Sequence, residues 1–156
     1  MLAALEALGE PYTLMPCDPA LADTANFCEH YGVPLENTGN TIVVISKRPA
    51  GLACACVVTA LQRLDVNRKV CQLLGASKAS FASAEEMQRL TEMEVGGVTV
   101  FGLPGDMPLY IDSTIMAVDE VVVGAGGRTG KVRIAPSSLL RLPNATVVED
   151  LGLARA

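Results

Sequence analysis

Aromatic side chains are scarce in this chain: there is no tryptophan, and only three phenylalanines and three tyrosines accompany a sequence that is 50% hydrophobic. The core must therefore be built from Val, Leu, Ala, Ile and Met. Histidine is scarcer still. His30 is the single imidazole, and it falls near the end of a helical segment closed by Gly32, where it meets the negative end of the helix dipole. No Ser-His-Asp set is available. The five cysteines, Cys17, Cys28, Cys54, Cys56 and Cys71, contain no C-x-x-C pair. Cys54 and Cys56 lie two apart and share one face of a strand. No His, Cys or carboxylate cluster has metal-ligand spacing, so the cysteines read as reduced thiols packing as small hydrophobes. No metal and no cofactor is expected. The phosphate-cradling pattern G-x-x-x-x-G-K-[ST] is also missing, which removes the usual nucleotide-binding loop.

Long apolar runs are lacking too. None approaches the ~20 residues that span a bilayer, and residues 1–6 carry an acid early instead of the basic start of a signal peptide. The expectation is a cytoplasmic protein with no membrane partner, a monomer or weak homodimer. Positive charge is in deficit: 12 Lys and Arg face 17 Asp and Glu, a net charge of −5. Wrapping a duplex through many phosphates calls for a basic excess. No DNA partner is expected, while local contact with one end of an RNA stays open.

What is present is a chain of 156 residues, long enough for one domain, 1–156, with its own core. Residues 2–8 read as a short helix ended by Gly9, and residues 12–15 as an edge strand stopped by Pro16. Asp23 or Thr24 caps a helix through Tyr31, with Gly32 and Pro34 as terminators. Residues 41–46 and 52–59 are β-branched or apolar runs joined by a turn, so they read as a hairpin. Their continuous hydrophobicity implies burial on both faces. Asp65 opens a helix through Leu74, and Ser83-Ala84-Glu85-Glu86 is a capping box for another. Strands are expected at 109–111, 120–123 and 131–134, a helix at 137–142 begun by Pro136, and a last strand at 146–148. Hairpin-like strand pairs with peripheral helices indicate an α+β domain with a mixed sheet.

The segment Val95-Gly96-Gly97-Val98-Thr99-Val100-Phe101-Gly102 stands out. Paired glycines bare the backbone, so N–H groups can approach a ligand closely. Pro104, Gly105 and Pro108 then break regular structure before a short strand delivers Asp112. The plainer reading of the Gly-Gly pair is a wide turn between strands. Asp112 likewise reads as a turn or cap aspartate before Ser113-Thr114, or as a ligand of the site. Gly124-Ala125-Gly126-Gly127-Arg128 is either a hairpin turn or a second backbone wall, with Gly126 on the site and Arg128 offered to phosphate.

Taken in order, these pieces resemble the YbaK and prolyl-tRNA-synthetase-associated domain family, relatives of the editing domain inserted in bacterial prolyl-tRNA synthetases. The resemblance runs from about 23 to 142. It rests on His30-Tyr31-Gly32-Val33-Pro34, Asn40-Thr41-Ile42-Val43-Val44, Asp65 before Leu73-Leu74-Gly75-Ala76, the glycine segment, Tyr110-Ile111-Asp112, Gly124 to Arg128 and Ile134-Ala135-Pro136. It implies a mixed, partly closed sheet with helices around it. It also implies trans-editing: hydrolysis of the ester of a mischarged tRNA bearing a small amino acid, often on the proline isoacceptor. Two positions depart from the family pattern. Asn40 stands where a lysine is usual, and Val100 where a proline stiffens the loop. An aminoacyl ester is already activated, so the site mainly needs donors aimed at the developing oxyanion. The N–H groups of Gly96, Gly97 and Val98 and the amide of Asn40 are the candidates, with Thr99, Phe101, Asp112, Gly126 and Arg128 as binding residues. The partner implied is the acceptor end of an aminoacyl-tRNA. The rival reading is a binding module for an RNA end or small ligand that has lost hydrolysis.

Overall fold

One long strand organises the molecule. The computed structural model describes residues 1–94 and 97–155, and within it β2 (Thr38–Arg48) follows β1 (Tyr12–Pro16) and pairs antiparallel with β3 (Ala50–Val58). Their register runs from Asn40 opposite Val58 to Ile45 opposite Ala53, then shifts at a bulge before Lys47 meets Ala50. The hairpin is thus longer than the apolar runs 41–46 and 52–59, because ladder bonds continue past the last buried residue to the turn at Pro49. Such continuation needs only backbone, which hydropathy does not report.

The other edge of β2 is shared. Thr38 and Gly39 pair in parallel with β7 (Val121–Gly124), whereas Val44 to Arg48 pair antiparallel with β5 (Lys78–Phe81). With β6 (Leu109–Asp112), β8 (Gly130–Ile134) and β9 (Ala145–Val148), the main sheet runs β1-β8-β7-β2-β3-β6-β9, and β5 lies on β2. It is mixed: β2–β7, β3–β6 and β6–β9 are parallel. A separate ribbon pairs β4 (Gln62–Leu64) with β10 (Gly152–Ala154). The α+β class and the mixed sheet follow the sequence reading. Strands β4, β5 and β10 do not: each is three or four residues long and lacks the β-branched residues that mark β6, β7 and β9. Phe81 at the end of β5 is 58% exposed, a position that sequence alone would bury.

Helix α1 (Leu2–Ala7) precedes the first strand, and α2 (Thr24–Tyr31), α3 (Cys71–Leu74), α4 (Ala84–Thr91) and α5 (Pro136–Leu139) lie between strands in the chain. Their ends obey local rules. Gly32 and Gly75 close α2 and α3 in the left-handed conformation, which costs glycine little. Ser83 and Glu86 form the reciprocal capping box of α4, and this arrangement holds the Glu86 carboxyl below its usual pKa. The Asp65 side chain accepts from the N–H of Arg68 at the head of a wide helical turn, Val66–Val70, that leads into α3. The last helix stops at Leu139, short of the expected Leu142.

β3 alternates between two cores. Ala55 and Val57 join Leu5, Phe101, Leu109 and Ile111 on one face, while Cys54, Cys56 and Val58 join Val44, Val70 and Leu151 on the other. The period of two and the burial of both faces are what a central strand requires. Cys54 and Cys56 share one face with their sulfurs 3.7 Å apart, and all five thiols are free and buried. A third cluster seats α2 through Phe27 and Cys28 against Val122. Among the described residues no helix is long and apolar enough to cross a membrane.

Asp112 fastens the main sheet to the small ribbon. Its carboxylate accepts from the N–H and hydroxyl of Thr114 (2.9 and 2.6 Å) and from the N–H of Gly152 in β10 (2.8 Å). Burial pushes this carboxyl up, but bonds from Gly152, Thr114 and Gln62 outweigh it and hold the pKa below the ordinary value. A depressed carboxyl stabilises the fold above its unfolded pKa of about 3.9 and loses that contribution as pH falls through the folded value. Asp112→Asn is therefore expected to destabilise the protein by about 1–3 kcal/mol at pH 7. The gap between wild type and variant should narrow progressively below about pH 4, as read by urea unfolding at several pH values.

Candidate functional site

The exchange of partners along β2 opens a cleft. β7 stays beside β2 only to Gly39, and β5 joins it at Val44, so residues 40–43 border a gap. Ala82 closes one end by donating its N–H to the Val43 carbonyl at 2.9 Å. Backbone groups alternate between the two edges of a strand, so the N–H and C=O of Thr41 face the same gap, and neither has a ladder partner among the described residues. The cleft has a volume of about 240 Å³ and is lined by β2 from Thr38 to Ile42, by Asp23, Thr24 and Phe27 of the α2 region, by Val98, and by Val122 to Gly124 and Lys131.

Asn40, Thr41 and Lys131 are polar residues of its wall. The Thr24 hydroxyl, in the first turn of α2, donates to Oδ1 of Asn40 at 2.5 Å. This bond orients the amide so that its two N–H donors are left for a ligand. The hydroxyl of Thr41 is buried without a hydrogen-bond partner among the described residues, which is costly unless something in the cleft satisfies it. Lys131, on β8, is 8% exposed. Its Nζ donates to the Ala22 carbonyl at 2.9 Å and lies 5.5 Å from the centre of the Phe27 ring. Burial is the main force lowering the lysine pKa, helped by the like charge of Arg128, while Cys17, Asp23 and Cys28 act in the opposite direction.

The glycine segments serve a different purpose from the one their composition suggests. The Gly97 N–H donates to the Glu94 carbonyl at 3.0 Å, and the Gly97 carbonyl accepts from Gly126. A Cβ on Gly97 would lie 2.2 Å from the Gly127 carbonyl oxygen, and one on Gly124 would lie 2.3 Å from that of Val98. The two loops are bare so that their backbones can touch each other. The Gly97 N–H, expected as an oxyanion donor, is engaged with the Glu94 carbonyl in this structure. Gly96 lies outside the described residues.

The remaining expected site residues separate clearly. Asn40 and Val98 line the cleft. Phe101 does not: its ring is fully buried in the main core beside Leu5 and Ile111, because the chain after Val98 turns inward. Thr99 is fully buried as well, its N–H directed at the Met93 sulfur (3.4 Å) and its hydroxyl accepting from the Phe101 N–H (3.4 Å). Asp112 is engaged with Thr114 and Gly152 and is absent from the cleft wall. Gly126, at φ +93°, is held by the Gly97 carbonyl. Arg128 reaches back to the Pro19 carbonyl (2.9 Å) and to Asp23 (3.3 Å), and so ties the β7–β8 loop to the start of α2. Thr24, Thr41 and Lys131 line the cleft without having been assigned to a site from the sequence. Lys131 left one signal in the sequence, a lysine inside a strand whose other face, Val132 and Ile134, is buried.

The packing of the two loops is testable. Gly97→Ala forces a methyl group into backbone and is expected to cost about 1–3 kcal/mol, a fall of roughly 2–4 °C in Tm for each kcal/mol in a chain of this size. Gly105→Ala is the control, since a Cβ there meets nothing within 4 Å, and its thermal melt should be nearly unchanged.

Comparison with known proteins places this geometry. The family model of the aminoacyl-tRNA editing domain matches residues 18–142. The proposed Cys-tRNA(Pro)/Cys-tRNA(Cys) deacylase EbsC of Enterococcus faecalis is 22% identical over 121 residues, 78% of this chain and 72% of that protein. The uncharacterized protein YwhH of Bacillus subtilis is 30% identical over 111 residues, 71% of this chain and 68% of its own length. Among solved structures, a proposed trans-editing enzyme for prolyl tRNA synthetase superposes with a TM-score of 0.82 at 24% identity, covering 99% of this chain and 94% of the other. The hypothetical protein APE2540 does so with a TM-score of 0.84 at 26% identity over 96% of each chain.

Proposed function

The chain belongs to the aminoacyl-tRNA editing domain family, and from that premise we propose that it hydrolyses the ester of a mischarged tRNA carrying a small amino acid, with the proline isoacceptor as the first tRNA to try. The observation that carries this reading is the open edge of β2 at Thr41, bordering a cleft whose wall includes Asn40 with its amide fixed by Thr24. A volume of about 240 Å³ falls below the roughly 300–1,000 Å³ of sites that enclose a drug-sized ligand. It suits the acylated end of a long molecule and leaves little room for a bulky side chain.

The chemistry asks little of the protein. Water adds to the ester carbonyl, the carbonyl oxygen gains negative charge, and collapse of the tetrahedral adduct expels the ribose oxygen, which takes up a proton released by the water. Donors fixed before the reaction stabilise that oxygen without reorganising, and in a partly dry cleft they act strongly. Asn40, held by Thr24, and the Thr41 N–H are the groups placed to do this. In the resemblance the neighbouring ribose hydroxyl of the substrate assists the proton transfer, so no side-chain base is required.

The test is loss of ester from a panel of aminoacyl-tRNAs, with cysteine and alanine on the proline isoacceptor first. Wild type should deacylate at least one small-residue substrate faster than the uncatalysed rate. Asn40→Ala should lower kcat by about 10²-fold, as loss of one oxyanion donor does, with the fold intact by circular dichroism. A folded wild type that is inert on the whole panel would sink the hydrolytic reading. Because the net charge is −5, affinity for the tRNA should fall with salt along a slope equivalent to only about 1–4 phosphate contacts.

A further inference from the structure

Basic residues are concentrated in one stretch of this acidic chain. Residues 47–78 hold six of its twelve Lys and Arg (Lys47, Arg48, Arg63, Arg68, Lys69 and Lys78) and one of its seventeen acids, Asp65. All six cations but Lys69 are exposed, and the charge of Asp65 is met by Arg68 at 3.3 Å. The stretch is therefore locally positive, whereas the rest of the chain carries the acidic excess.

Phe81 stands beside it. Alone among the six Phe and Tyr rings it is exposed, to 58%. It forms one wall of a hollow of about 430 Å³, lined also by the buried Leu64, Val66 and Ala79 and by the exposed Arg63 and Asn67. An aromatic face, apolar surface and polar groups at the rim match an unpaired nucleobase, which has flat faces to stack and a polar edge to bond. A cation beside it suits the phosphate that such a base brings.

The hollow adjoins the cleft. Phe81 is directly opposite Val44. Opposite partners share a face of the sheet, as do residues two apart on a strand, so Phe81 lies on the face that carries Ile42 and Asn40. Ala82, the next residue, closes the end of the gap through its bond to Val43. Four residues of β2 separate Val44 from Asn40, about 13 Å along the strand and a reach of roughly one or two nucleotides.

We propose that the hollow walled by Phe81 seats an unpaired base close to the acylated end of the RNA, stacked on the Phe81 ring with Arg63 beside its phosphate. The assignment rests on the reading that the cleft receives an RNA end. It divides the labour: Asn40 and Thr41 act at the ester, and the base seat sets how the strand that carries the ester enters the cleft.

The probe is an uncharged RNA hairpin ending in an unpaired CCA, compared by fluorescence anisotropy with the same hairpin made abasic at both cytidines of that end. Phe81→Ala should weaken binding of the CCA hairpin about 5- to 150-fold, as loss of one base–aromatic stack does. It should leave binding of the abasic hairpin unchanged, and Phe81→Trp should keep the preference for CCA. A thermal melt of each variant checks the fold. A folded Phe81→Ala that binds the CCA hairpin like wild type, an equal loss on both hairpins, or a wild type that binds neither overturns the proposal. Should Phe81→Ala fail to fold, photo-crosslinking of wild type to a hairpin with 4-thiouridine in place of either cytidine reads the same contact. A crosslink at Phe81 supports the seat, and crosslinks confined to other residues overturn it. The hydrolytic reading fails separately. A Phe81-dependent preference for CCA with no deacylation sinks hydrolysis but supports the seat, whereas deacylation with KM unchanged in Phe81→Ala does the reverse.

Discussion

β2 changes partners along one edge, and the sheet and the cleft both depend on that change. A strand whose edge is occupied throughout offers no backbone to a ligand, and one whose edge is wholly open is an aggregation hazard. Here β7 covers the first residues, β5 covers the last, and the stretch between is left bordering a cavity. The antiparallel pairing with β3 holds that stretch straight from the other side. Polar groups of Asn40 and Thr41 are therefore presented on a rigid element, which positions donors more precisely than a loop would.

The glycine loops contribute indirectly. Gly97, Gly124 and Gly127 allow the segment after α4 to lie backbone to backbone against the β7–β8 connection, and the bonds among Glu94, Gly97 and Gly126 lock the contact. Val98 reaches the cleft as a consequence. Arg128 adds a second tie by joining the same connection to Pro19 and Asp23, so the cleft's walls on β7, β8 and α2 are braced together. Preorganisation of this kind is what donors to a developing oxyanion require.

Charge in the cleft is arranged by depth. The exposed Asp23 is met by Arg128 at the rim, while Lys131 sits buried with its Nζ against a carbonyl and an aromatic face.

Much was legible without coordinates. The terminators Gly32 and Gly75, the capping box at Ser83 and the two-faced burial of the β2–β3 hairpin all arise from interactions within a few residues, or from a period that the chain displays directly. The ordered set of motifs likewise carried the family, now shown by the match over residues 18–142. Short strands such as β5 and β10 were not legible, because they carry no β-branched residue and their partners lie far away in the chain. The site divided along the same line. Asn40, singled out because it stands where the resembling family usually has lysine, lines the cleft, whereas Phe101 and Thr99 are buried and Asp112 is bonded to Thr114 and Gly152. Gly97 looked bare for a ligand and is bare for another loop. The local sequence by itself determined the buried hairpin of β2 and β3, the ends of α2 and α3 and the start of α4, because these follow from neighbours within a few residues. Only the tertiary structure decided what meets the bare backbone of the glycine loops and which buried polar groups share a cavity, because those are distances between residues such as Asn40, Thr24 and Lys131, which no local pattern connects.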